Sequence, residues 1–116
     1  MGDQQKTGNQ GEVLAQTFLE RKGYTLEAKN YRYGKGEIDL VMRAADGWLV
    51  FVEVKARKND FYGNPEQFVS RNQIRQIQKA AEGYLENNGW TPKIRFDIVA
   101  ILLTNPPQLE HLEDAF

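Results

Sequence analysis

The sequence of 116 residues predicts an α/β domain in which a mixed sheet is flanked by helices, in the order α-β-β-β-α-β. Three observations predict it. An amphipathic helical stretch covers residues 11–22, ahead of any strand pattern. Two runs with a period of two, residues 37–43 and 48–56, face each other across a tight turn. A long helical stretch from Ser70 then separates this hairpin from a last apolar run, residues 93–103. Strands joined through a helix favour parallel pairing with a right-handed crossover, so the sheet is mixed. The length suits one domain spanning residues 1–116, with its core at about 8–103 and a tail at 104–116.

Each element has a local reason. In the first helix Ala15, Phe18 and Leu19 share a face, Leu14 flanks it, and Gly23 supplies the terminator. Residues 24–33 read as an extended strand broken by Gly34 and Gly36. In the hairpin, a three-residue loop of Ala45, Asp46 and Gly47 is a type I turn closed by a glycine bulge. It pairs Ala44 with Trp48, Asp39 with Glu53 and Glu37 with Lys55. One face then carries Ile38, Leu40, Met42, Trp48, Val50, Val52 and Val54, all apolar. A two-residue Asp46-Gly47 loop shifts the register by one and sends Asp39 and Glu53 to opposite faces. The three-residue register is the expectation, because it alone keeps one face apolar.

Residues 55–67 read as a polar loop. Ser70-Arg71-Asn72-Gln73 fits a capping box, with the Gln73 side chain reaching back to the cap. The helix it opens puts Ile74, Ile77, Ala81 and Leu85 on one stripe and ends at Asn87-Asn88-Gly89. Asn105-Pro106-Pro107 stops the final strand, and the tail from Gln108 is expected to be short helix or disorder.

The alternation that defines the hairpin also places its charges. Glu37 and Asp39 share one strand face, and so do Glu53 and Lys55. Desolvating such charges is costly unless they are paired or bind a metal. Hard cations such as Mg²⁺ (or Mn²⁺) take oxygen ligands, commonly one or two carboxylates, leaving positions for water and phosphate. Lys55 reaches the same pocket, where it could activate water or stabilise transition-state charge. Glu37 serves equally as the salt-bridge partner of Lys55 or as a ligand. Asp97, in an apolar strand, reads as structural. His111, in the tail, is not expected to be a ligand.

Composition bounds the rest. Hydrophobic content of 41% and charged content of 27% are those of a soluble globular protein. With no cysteine, disulfides and Cys-based zinc sites are excluded. The first residues are polar, unlike a signal peptide, and no apolar run approaches the roughly 20 residues of a membrane helix, so the expected location is cytoplasmic, with no membrane partner. A net charge of −1 and a pI of about 5.8 argue against a dedicated nucleic-acid binder. The basic residues are nonetheless local. Arg71, Arg75 and Lys79 form one stripe on the second helix, and Lys55, Arg57 and Lys58 lie together. Either set is a solvated face or a set of phosphate contacts. Phe61 and Tyr62 either stack on bases or pack locally.

Gly36-Glu37-Ile38-Asp39-Leu40, Phe51-Val52-Glu53-Val54-Lys55 and Arg95-Phe96-Asp97-Ile98-Val99 resemble the motifs of the small YraN-like proteins. Those proteins are similar to archaeal Holliday junction resolvases, in the restriction-endonuclease-like, PD-(D/E)xK nuclease superfamily. The resemblance covers about residues 8–103 and implies a nuclease core in the element order read above. It also implies that Asp39 and Glu53 are metal-binding acids, that Lys55 is the catalytic lysine, and that Glu12 is the first-helix glutamate completing the site. Glu12 reads otherwise as an acid favoured near a helix N-terminus. The chain departs from the pattern in two places: Ile38 stands before Asp39 in place of proline, and Asn72 after Arg71 in place of a lysine.

The expected function is a Mg²⁺- or Mn²⁺-dependent endonuclease hydrolysing phosphodiester bonds in DNA, branched or otherwise structured. Arg57, Lys58, Arg71 and Arg75 are its candidate nucleic-acid contacts. The alternative is a non-catalytic nucleic-acid-binding or protein-interaction module on the same scaffold. Nucleic acid, DNA before RNA, is the expected partner, and a homodimer is left open.

Overall fold

The computed structural model describes residues 2–58 and 69–116, with side chains from residue 8 onward. Helix α1 (Gly2–Arg21) leads into β1 (Thr25–Tyr33), β2 (Gly36–Arg43) and β3 (Leu49–Arg57). Helix α2 (Arg71–Asn88), β4 (Ile94–Leu102) and β5 (Gln108–Leu112) follow. The five strands form one mixed sheet in the order β1-β2-β3-β4-β5, with only the β3–β4 pair parallel. The α-β-β-β-α-β order and the crossover through α2 stand as the sequence predicts, and the fold is consistent with a restriction-endonuclease-like core.

The tail is a correction. Residues 108–112 are neither helix nor irregular but a strand, β5, antiparallel to β4. Its stabilising contacts are long-range and charged. Asp97, fully buried on β4, accepts two hydrogen bonds from Arg95 at 2.9 Å and the Asp114 amide at 3.0 Å. His111 Nε2 lies 2.7 Å from the same carboxylate. Arg95 also donates to the Tyr24 hydroxyl at 2.6 Å. These donors satisfy the buried carboxylate and hold it below its ordinary range, so the structural reading of Asp97 stands.

Each helix covers one face of the sheet. Ala15 and Leu19 of α1 pack on Leu40, Met42, Val50, Val52, Val99 and Ile101. Ile77, Ala80, Ala81, Tyr84 and Leu85 of α2 pack on Val41, Leu49 and Phe51. Helix α1 ends in a Schellman motif: Gly23, at φ 96°, donates to the Glu20 carbonyl and Tyr24 donates to the Leu19 carbonyl. Among the described residues no helix is long and apolar enough to cross a membrane.

The three-residue turn sets the expected register as far as Leu40 and Val52, but the expected pairs Asp39–Glu53 and Glu37–Lys55 do not form, because β2 parts from β3 there. Ala44 donates to the Trp48 carbonyl, and Leu40, Met42 and Arg43 stand opposite Val52, Val50 and Leu49. The paired register ends at Leu40 and Val52. Ile38 is the exception to the predicted apolar face, since it packs in the α2 cluster. Past Leu40, β2 is no longer tied to β3. On its other side Asn30 of β1 adopts φ 50°, interrupting the alternation that the hairpin maintains.

Candidate active site

The parting of β2 from β3 creates the site. In place of the next ladder rung, Asp39 Oδ2 accepts the Val54 amide at 2.8 Å. Asp39 therefore points into the gap between strands that have separated. Glu53, on β3, faces α2 and is buried. The two carboxyl groups are close enough for the charge of Glu53 to act on Asp39, although the expected Asp39–Glu53 strand pair is not formed. Lys55 Nζ lies 3.6 Å from Glu53 Oε1. Its predicted partner Glu37 instead faces Arg32, 3.5 Å away across β1 and β2.

Two like charges taken out of water repel each other, and both respond. Burial first, then the charge of Glu53, pushes Asp39 up to about 8, while the Val54 amide opposes the rise. Glu53 is also raised, by burial, against the pull of Lys55. Near neutral pH the pair thus retains a proton that two exposed carboxylates would have lost. Glu12, half-buried on α1, is raised by burial as well. The Asn30 amide, with its nitrogen turned toward them, donates to Glu12 at 3.0 Å and to Glu37 at 3.3 Å. The Asn30 side chain therefore bridges Glu12 of α1 and Glu37 at the cleft.

Helix α2 roofs the pair. Ser70 caps it by accepting the Gln73 amide at 3.1 Å. The other half of the expected capping box is not formed. The Gln73 side chain donates forward to Glu53 Oε1 at 3.2 Å, because the helix start lies over the carboxylate. Gly36 permits that approach: a β-carbon there would collide with the Gln76 carbonyl. The result is a cleft of about 190 Å³ bounded by Lys35, Glu37, Asp39, Glu53, Gln73 and Gln76. A larger groove of about 1020 Å³ runs beside Val13, Leu14 and Leu103, but among the described residues none of its lining is acidic. Size does not identify the chemistry here, and the smaller cleft is the candidate site.

Among the described residues, no three or more His, Cys, Asp or Glu side chains are grouped so as to hold a metal ion. Glu12 is engaged by Asn30, which leaves Asp39 and Glu53 as the paired donors. They fit a hard divalent cation. Mg²⁺ needs only one or two carboxylates beside water and phosphate oxygens, and a cation would relieve the repulsion that raises both groups.

Residues 11–101 match the model of a family described as "Uncharacterised protein family UPF0102". The chain belongs to the UPF0102 family. A UPF0102 protein of Cytophaga hutchinsonii is 47% identical over 94 residues, covering 81% of this chain and 82% of its own. One of Christiangramia forsetii is 38% identical over 117 residues, covering 100% of this chain and 98% of its own. One of Rhodococcus jostii is 41% identical over 113 residues, covering 94% of each chain.

In this UPF0102 chain the predicted nucleic-acid contacts do not gather at the cleft. Arg71, Arg75 and Lys79 are exposed, while Gln73, Gln76 and Ile77 of α2 line the cleft. Lys58 borders the large groove beside α1. Arg57 closes β3, where its carbonyl accepts the Leu103 amide at 2.7 Å. Phe61 and Tyr62 lie outside the described residues. Lys35, Gln73, Gln76 and Asn30 were not apparent from sequence as site residues. Only Gln73 carried a signal, and capping chemistry explained it.

Proposed function

We propose that this cleft hydrolyses phosphodiester bonds in nucleic acid, DNA before RNA, with a divalent cation held by Asp39 and Glu53. The observation that carries the reading is the carboxylate pair, Glu53 buried and Asp39 partly buried, with Lys55 beside it. Burying two acids together costs stability unless a bound cation offsets the repulsion. A bound Mg²⁺ or Mn²⁺ would supply Lewis-acid charge and a more acidic water. Gln73 holds Glu53 in its rotamer, and the Val54 amide fixes Asp39. Lys55, at the edge of the pair, is placed to donate to a phosphate oxygen as negative charge develops in the transition state. The likeness of the three motifs to the PD-(D/E)xK pattern supports the same chemistry, and Glu12 is the acid that pattern would add.

Lys55→Ala tests this reading. It should leave Mn²⁺ binding measured by calorimetry near wild type, yet abolish cleavage of single-stranded, duplex and four-way-junction DNA. A wild-type chain that cleaves none of these, nor RNA, with either ion would end the nuclease reading. One observation favours a non-catalytic nucleic-acid or protein-interaction module instead: Arg71 and Arg75 of α2 are exposed and do not line the cleft. That module would retain binding without cleavage.

A further inference from the structure

The tip of the β1–β2 hairpin is fixed to α2 at two points, and both depend on a missing side chain. Gly36 lies against the Gln76 carbonyl, and the Tyr33 ring occupies the space that a β-carbon on Gly83 would need. Gly34, at φ 60°, makes the turn between them. Tyr33 is thus a pinned aromatic ring, yet it remains 45% exposed. Lys35, next on the tip, borders the carboxylate cleft and has no hydrogen-bond or ion-pair partner among the described residues. Two nearby cations are engaged: Lys55 with Glu53, and Arg32 with Glu37. Lys79 stands three residues after Gln76 and four before Gly83, so it neighbours both contact points on the helix surface.

We propose that this tip docks single-stranded nucleic acid, with Lys35 taking a phosphate at the mouth of the cleft and Tyr33 stacking on a base. The proposal rests on the nuclease reading for its substrate and adds where that substrate lies. A phosphate approaching the cleft meets Glu37, Asp39 and Glu53, and Lys35 supplies the opposing charge at the entrance. The seven residues from Gln76 to Gly83 span about 10 Å of helix. That distance is about three stacked nucleotides at roughly 3.4 Å each, with Lys79 beside the intervening backbone. Stacking on Tyr33 needs an open base face, which an unpaired strand offers and duplex interior does not. Because the ring is already held on Gly83, little conformational freedom remains to be lost on binding.

The test is fluorescence anisotropy of the full chain with a labelled twelve-residue oligothymidylate and a blunt duplex of the same length, in EDTA so that cleavage plays no part. Wild type should bind the single strand more tightly than the duplex. Tyr33→Leu keeps an apolar cover over Gly83 and should weaken single-strand binding about tenfold, whereas Tyr33→Phe should bind as wild type. Lys35→Ala should weaken binding and make the slope of log affinity against log salt shallower by about 0.7. Thermal melts matching wild type exclude misfolding as the cause. Equal affinities for Tyr33→Leu and Tyr33→Phe, a preference for duplex, or no single-strand binding by wild type would each overturn the proposal. If these binding effects appear but Mn²⁺ neither binds nor supports cleavage, docking stands and the nuclease reading falls.

Discussion

Asp39→Asn isolates the repulsion stored in the carboxylate pair. Asparagine retains an oxygen that can accept the Val54 amide, so the substitution removes the charge and little else. Asp39 is pushed from 3.8 to about 8, so the folded chain holds a proton that the unfolded chain releases near pH 4. Between these two values folding favours the protonated form, and stability therefore falls as pH rises. At about 1.4 kcal/mol per tenfold change in proton affinity, the ceiling is about 6 kcal/mol. Asp39 is only partly buried at an open strand gap, where small movements toward water relieve charge. We expect about 2–3 kcal/mol. Urea unfolding in EDTA should show wild type losing that much more stability than Asp39→Asn between pH 5 and pH 9. Near pH 4 the two should converge, and at pH 9 the variant should be the more stable. Mn²⁺ at pH 9 should restore wild type and leave the variant nearly unchanged. Parallel pH profiles for the two proteins would refute both the stored repulsion and its release by a cation.

Gln73→Leu removes the donor that orients Glu53 and should weaken Mn²⁺ binding about tenfold by calorimetry, with the fold intact by circular dichroism. Gly36→Ala drives a β-carbon against the Gln76 carbonyl and should cost about 1–3 kcal/mol in urea unfolding, because the obstruction is backbone. Asp97→Ala strands Arg95 in a buried setting and should cost about 3–5 kcal/mol. Since Asp97 is held below its ordinary range, wild type loses its contribution as pH falls below about 4, and the variant should lack that acid-side loss.

Local chemistry determined the elements. Alternation along residues 37–43 and 48–56, with a glycine at the turn, fixed which side chains faced together as far as Leu40 and Val52. The same reasoning located α2 from its Ser70 cap and its apolar stripe, and favoured the parallel pairing of β4 with β3 that forms. These features arise from residues close in sequence or from connection geometry. What the tertiary structure decided depends on residues far apart. Beyond Leu40 the hairpin opens, so Asp39 takes the Val54 amide and Ile38 turns to α2, a departure that no period-two pattern records. Gln73 abandons its cap for Glu53 because Gly36 lets the helix descend onto β2. Strand β5 exists through Asp97, which joins Arg95, His111 and the Asp114 amide, although its own residues have weak strand character. The basic stripe on α2 was legible as a stripe, but its direction was not. Only the packing of Ile77, Ala80 and Tyr84 against the sheet shows which way a helix is turned, and it turned Arg71 and Arg75 to solvent, where they do not line the cleft.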